Sequence, residues 1–202
     1  MNVKELISAM QNGAYDSNLK AVYLTDGAVD LQKPRYVEAL NSFGELFGFD
    51  REVSIMSAPG RTEVCGNHTD HNNGKVLAAS INLDAIAVVS KNDDNIIRVK
   101  SKGHRMNVVD LNDLTPNEKN FGSSTTLVQG VAAGIKDLGF EVKGFDAYTT
   151  SDVMGGSGLS SSAAFEVLIG TIFSYLYNEG KVSAVKIAQI AQHAENVYFG
   201  KP

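Results

Sequence analysis

Residues 152 to 164 constrain this chain more than any other stretch. They set Gly155, Gly156, Ser157, Gly158 and Leu159, then the successive Ser160, Ser161 and Ser162, between two segments of opposite character. Residues 145 to 150 before them read as a strand. The apolar run 165 to 177 after them reads as a helix. A glycine-rich bend at such a junction gathers backbone N–H groups, hydroxyls and a positive helix end around one point. That combination binds anions, phosphate above all. A Gly/Ser linker has a similar composition, but a linker does not lead straight into a long apolar helix. The stretch reads as a phosphate cradle inside a packed unit.

The remaining composition sets outer limits. The 202 residues suffice for one sizeable domain, or for one domain with an appended segment. A net charge of −5 and the lack of any Lys/Arg block argue against a nucleic-acid partner. Cys65 is the only cysteine, so no internal disulfide can form and a reducing compartment is favoured. The N-terminus has no signal-type apolar core. The greasiest region, 76 to 89, is interrupted by Asn82 and Asp84 and cannot span a bilayer as a helix. A soluble, cytoplasmic protein without a membrane partner is expected.

Val3, Leu6, Ile7 and Met10 recur at helical spacing and predict a short helix that stops at Asn12-Gly13. A polar loop follows, then a second helix entered at Pro34 with Tyr36, Leu40, Phe43 and Phe47 on its apolar face. Residues 53 to 58 read as a strand, with Pro59-Gly60 forcing a turn. Strands are predicted at 76–81, 85–90, 96–101 and 107–110, with a hairpin turn at 92–95. Ser123 to Thr126 can cap a helix that runs to Leu138, where Gly139 sits at the stop position. Ser183 can cap a last helix reaching about Phe199. Strands first, then helices with one strand, suggest an α+β fold with helices on one sheet face.

Better-known glycine loops fit poorly. No Gly-x4-Gly-Lys-Ser/Thr exists, since Gly74-Lys75 is followed by Val76. The dinucleotide fingerprint finds serine where its third glycine belongs, and Glu179 ends a helix rather than a strand. A nucleophile elbow fails because Leu159 follows Gly158.

A second polar stretch lies between Gly60 and Gly74. Arg61, Asn67, His68, Asp70 and His71 are many hydrogen-bonding side chains for a connector, and Gly60, Gly66 and Gly74 hold its bends. Three readings compete. His68, Asp70 and His71 could ligate a metal, although no fourth ligand is apparent. A solvated surface loop would carry such residues too. A pocket for a polar substrate is the third, because a carboxylate beside an imidazole and an amide suits adjacent sugar hydroxyls.

Gly156-Ser157-Gly158-Leu159-Ser160-Ser161-Ser162-Ala163-Ala164 resembles the second signature of the GHMP kinases, with Met154 where that family usually has proline. Arg61, Gly66, His68, Asp70 and Gly74 match the galactokinase signature of the same superfamily. Asn67 replaces its glutamate, Glu63 its asparagine and His71 its tyrosine. The segment from Gln192 through Glu195 to Pro202 resembles a third family region. The resemblance spans about residues 36 to 202.

Several expectations follow from that resemblance. The fold is expected to be the N-terminal α+β domain of GHMP kinases, similar to the second domain of ribosomal protein S5. Residues 1 to 35 would form a helical extension, and 36 to 202 the domain, with a galactose-binding signature at 58–82 and the ATP loop at 152–164. Gly155, Gly156, Ser157, Gly158, Leu159, Ser160, Ser161 and Ser162 would bind ATP. Asn67, His68 and Asp70 would bind the sugar, and Arg61 would stabilise charge at the reacting hydroxyl. Mg²⁺ would sit on Ser161 and Glu195. The implied reaction moves the ATP γ-phosphoryl group to the anomeric hydroxyl of galactose or a close sugar. The family's catalytic aspartate and its C-terminal domain are expected beyond residue 202, so residues 1–202 alone are expected not to turn over. A non-catalytic galactose and ATP sensor, or a kinase for another small alcohol, stands as the alternative.

Overall fold

One long strand, Leu77–Lys91, runs where the sequence suggests two. The computed structural model describes residues 1–25, 27–66, 74–153 and 158–201. In chain order it contains α1 (Val3–Gln11), α2 (Asp16–Tyr23), α3 (Ala28–Phe47), β1 (Ser54–Cys65), β2 (Leu77–Lys91), β3 (Ile96–Ser101), β4 (Met106–Asp110), α4 (Ser124–Asp137), β5 (Phe145–Ser151), α5 (Ser161–Tyr177) and α6 (Ala184–His193). A π-helical turn, Ala194–Tyr198, prolongs α6. The described strands form one sheet in the order β1-β2-β5-β3-β4, antiparallel except where β3 runs parallel to β5. This is the α+β architecture that the sequence calls for.

Helices cover both faces of the sheet, not one. The reason is legible in β2, whose stretch Ala85-Ile86-Ala87-Val88-Val89 is apolar at every position and therefore needs two covers. Ala85, Ala87 and Val89 point into a core with Val128, Val131 and Ile135 of α4, Leu168, Ile169, Ile172 and Phe173 of α5, and Ile187 and Ile190 of α6. Ile86 and Val88 point the other way, joined by Tyr148, into a second core with Leu6 of α1, Leu19 of α2 and Leu40 and Phe43 of α3. The alternation of strand side chains assigns each residue to its layer.

Three local expectations change. The polar loop after α1 contains α2, and α3 begins at Ala28, so Pro34 lies inside a helix instead of opening one. Packing of α3 on the sheet outweighs the lost Pro34 N–H donor. β1 also runs on through Pro59-Gly60. It is an edge strand, where a missing N–H is tolerated, and the pairing shifts there, with Gly60 facing the three residues 81–83 of β2. Finally, residues 92–95 do not close a hairpin. β5 lies between β2 and β3, so the segment carries the chain across to a non-adjacent strand.

The capping expectations at Ser123 and Ser183 hold, and a further cap stands at the start of α1. Asn2 and Glu5 form a reciprocal capping box on α1. The Ser123 and Ser183 side chains accept from Thr125 and Lys186 N–H at the starts of α4 and α6. At the sheet end remote from the glycine loop, buried Asp146 accepts from Arg51 at 3.0 Å and from Arg98 at 3.1 Å.

Candidate active site

The glycine loop leaves the end of β5 and enters α5, as the sequence predicts. Gly158 has φ +76° and Ser160, at the N-cap of α5, has φ +56°. A serine in the left-handed region carries strain of about 1–2 kcal/mol, a feature concentrated at ligand clamps. The Ser160 side chain makes no capping bond to the helix. It therefore leaves first-turn N–H groups of α5 for an anion, beside the hydroxyls of Ser161 and Ser162. Gly155, Gly156 and Ser157 lie outside the described residues, as do Asn67, His68, Asp70 and His71.

The two polar stretches meet at Arg61. Its backbone N–H donates to Leu159 C=O at 3.4 Å. Next to it, a Cβ on Gly60 would stand 3.0 Å from Val153 Cγ2, so a larger residue would make Val153 give by a few tenths of an ångström where β1 passes the loop. Beyond Arg61, β1 and β2 continue as a two-stranded ribbon past the end of β5, pairing Thr62 with Ala79 and Cys65 with Leu77. The described residues of that ribbon end at Gly66 on one arm and resume at Gly74 on the other.

A buried ionic cluster anchors the base of both features. Asp84, 3% exposed, accepts from Arg35 Nη1 at 2.6 Å, from Tyr23 Oη at 2.8 Å and from Ser57 Oγ at 2.5 Å. Arg35 also pairs with Asp152 at 3.1 Å, and Asp152 N–H donates to Asp84 C=O at 3.0 Å. Burial opposes the Arg35 charge, but the bond to Asp84 outweighs it and holds the guanidinium above its ordinary value. Burial, reinforced by Tyr36 and Asp84, pushes the Tyr23 phenol far upward. Asp84 lies opposite Pro59 at the root of the ribbon, and Asp152 opens the glycine loop. One arginine from α3 thus ties the sugar-signature strand to the phosphate loop. Sequence reading misses this cluster, although a lone aspartate inside an apolar run was its signal.

At the far side of the loop, Ser162 Oγ donates to Glu195 Oε1 at 3.3 Å. Glu195 falls in the π-helical turn, where Phe199 N–H reaches back five residues to Ala194 C=O. Lys201 Nζ stands 3.2 Å from the same Glu195 oxygen. One helical turn beyond Ser162, Glu166 is 1% exposed and its Oε1 has no hydrogen-bond partner among the described residues. Burial, and then the Glu195 charge, push the Glu166 carboxyl up to about 8. Serine hydroxyls, an ammonium-paired carboxylate and an orphaned carboxyl oxygen form a hard-oxygen donor set of the kind that suits Mg²⁺.

A cavity of about 450 Å³ on the opposite side of the molecule is lined by Leu6, Met10, Leu19, Tyr36 and Ile55. It is apolar and contains none of the expected site residues.

Comparison with known proteins agrees with this layout. The galactokinase galactose-binding signature matches residues 41–91, and the GHMP kinases N-terminal domain matches residues 125–202. The chain is 38% identical over 162 residues to a galactokinase of Streptomyces coelicolor, covering 79% of this chain and 41% of that protein. It is 34% identical over 161 residues to a galactokinase of Lactococcus lactis, covering 78% and 40%. The chain therefore spans about two fifths of the length of these relatives. The crystal structure of Lactococcus lactis galactokinase complexed with galactose superposes with a TM-score of 0.75 at 29% identity, over 83% of this chain and 44% of that one. A mevalonate kinase of Methanococcus jannaschii shares the fold, with a TM-score of 0.60 at 20% identity over 74% and 48%. With one signature on the ribbon and the other on the loop it contacts, the chain belongs to the GHMP kinase superfamily, on its galactokinase branch.

Proposed function

We propose that this chain supplies the sugar- and ATP-binding part of an enzyme that transfers the ATP γ-phosphoryl group to the anomeric hydroxyl of galactose. The observation that carries this reading is the Arg61–Leu159 backbone bond. It sets the strand of a galactose-binding signature directly against a phosphate loop, so that an acceptor hydroxyl and a phosphate can meet. Phosphoryl transfer needs little from a protein beyond such placement and charge stabilisation.

In this reading the backbone of 155–159 and the hydroxyls of Ser160, Ser161 and Ser162 hold the triphosphate. His68 and Asp70 bind sugar hydroxyls, and Asn67 reads one more as both donor and acceptor. Arg61 lies beside the reacting hydroxyl and stabilises the charge that develops there. Mg²⁺, held by Ser161 or Ser162 with Glu195, supplies neutralisation of the phosphate charge when bound. Residues 36–202 act as the GHMP N-terminal domain and 1–35 as an extension packed on it. The lone Cys65 suits a cytoplasmic enzyme.

A kinase for another small alcohol is the second reading, favoured by Asn67, Glu63 and His71 where the galactokinase signature has other residues. A kinase assay of the complete protein against sugars and small alcohols decides between the two. Sugar 1-phosphate formed fastest from galactose supports the first reading, and preference for a non-sugar alcohol overturns it. Binding of galactose and ATP with no phosphorylated product would make the protein a sensor.

A further inference from the structure

Glu166 has no role in the proposed reaction, yet among the described residues it is the most deeply buried carboxylate near the site. Its Oε1 has no hydrogen-bond partner among the described residues, and its residue is 1% exposed. A buried polar atom without a hydrogen bond costs about 1–3 kcal/mol, and such atoms in native proteins call for an explanation such as a bound water or ion. The surroundings name the explanation. Glu166 follows Ser162 by one turn of α5, and Ser162 Oγ is bonded to Glu195. Glu195 acts on Glu166 electrostatically, and Lys201 places a cationic ammonium on Glu195. Glu166 therefore sits one helical turn from a point where the chain already accepts positive charge. A divalent cation of the Mg²⁺ type keeps several of its waters when bound, and carboxylates behind the direct ligands commonly take hydrogen bonds from that shell.

We propose that Glu166 is a positioning residue of the cation site, its free carboxyl oxygen accepting from a cation-bound water behind Ser162 and Glu195. This inference rests on the reading of Glu195 as a cation ligand. A residue kept only for packing would be better served there by glutamine or leucine, since burying a carboxyl without a partner is unfavourable.

The test uses Mn²⁺ as the probe, in the presence of ATP, with affinity read by electron paramagnetic resonance. ATP affinity in EDTA is measured alongside. Glu166→Leu is expected to weaken Mn²⁺ binding about 10-fold or more, with Glu166→Gln weaker than the native chain but tighter than Glu166→Leu. ATP affinity in EDTA stays unchanged in both, a result that general distortion of the loop would not give. Should Glu166→Leu fail to fold, the isosteric Glu166→Gln carries the test. Native Mn²⁺ affinity in the Glu166 variants, with affinity lost in Glu195→Gln, overturns the inference and leaves the reading of Glu195 intact. Native affinity in Glu195→Gln as well overturns both.

Discussion

Arg35 Nη1 stands 2.6 Å from Asp84 Oδ1, and both side chains are almost wholly buried. The two residues lie 49 positions apart, so their pairing fixes α3 to the root of the β1–β2 ribbon, and through Asp152 to the glycine loop. Arg35→Met would strand the Asp84 carboxylate without its countercharge. A loss of about 3–5 kcal/mol in urea unfolding is expected. Adding Asp84→Asn should restore part of that loss, because the two changes remove one shared interaction. A cost below about 1 kcal/mol for Arg35→Met would show that the pair does not anchor the site.

Glu166 should set a pH dependence of stability. Its carboxyl is raised to about 8 from an ordinary value of 4.5, chiefly by burial. The folded chain holds that proton more tightly than the unfolded chain, so stability from this group falls as pH rises from about 4.5 to 8. Glu166→Gln removes the titration. The variant should match the native chain near pH 5 and exceed it progressively toward pH 8, by on the order of a few kcal/mol. Melting temperatures across that range check this, and parallel curves would contradict it.

Gly130 sits where α4 meets the π-helical turn. A Cβ there would fall 2.7 Å from Ala194 Cβ and 2.8 Å from the Tyr198 ring. Gly130→Ala gains about 1 kcal/mol of helix propensity but overpacks the contact, at a cost of about 1–3 kcal/mol. Net destabilisation is expected in chemical unfolding. Because the displaced turn carries Glu195, Mn²⁺ affinity should fall with it.

Gly66 makes a different prediction. Its φ is +119°, and a Cβ would lie 2.7 Å from Val76 Cα and 2.8 Å from the Lys75 carbonyl oxygen. Gly66→Ala must spread the two arms of the ribbon, at Gly66 and at Lys75–Val76. The ribbon stands outside both cores, so the unfolding midpoint should barely move. Galactose affinity should drop about 10-fold or more, as expected when contact residues shift by about 1 Å.

Much of the site was legible because its chemistry is local. The glycines and serines of 155–162 are contiguous, and the strand before them and helix after them follow from periodicity. The ribbon signature is equally compact. What escaped the sequence depends on distant partners. Nothing in the sequence links Arg35 to Asp84, 49 positions away, and only the fold brings them together. Glu166 lies inside the apolar run of α5, and its burial becomes visible only with the packing around it. The sequence predicts two strands at 76–81 and 85–90, whereas Asp84 is buried by its arginine and one strand continues through it. The second helical layer had a signal in the unbroken apolar run 85–89, whose alternate residues Ile86 and Val88 face it once β2 is an interior strand.

The central claim is that the ribbon and the loop serve one transfer between ATP and galactose. Titrating galactose into the protein, with Mg²⁺ and a non-hydrolysable ATP analogue present, tests it most directly. Galactose should bind, and Asp70→Ala should weaken it by about 10-fold or more, as expected for losing hydrogen bonds to a charged group. Arg61→Ala should leave that binding largely intact while abolishing phosphorylation by the complete protein. No galactose binding, or equal binding by the native chain and Asp70→Ala, would contradict the account.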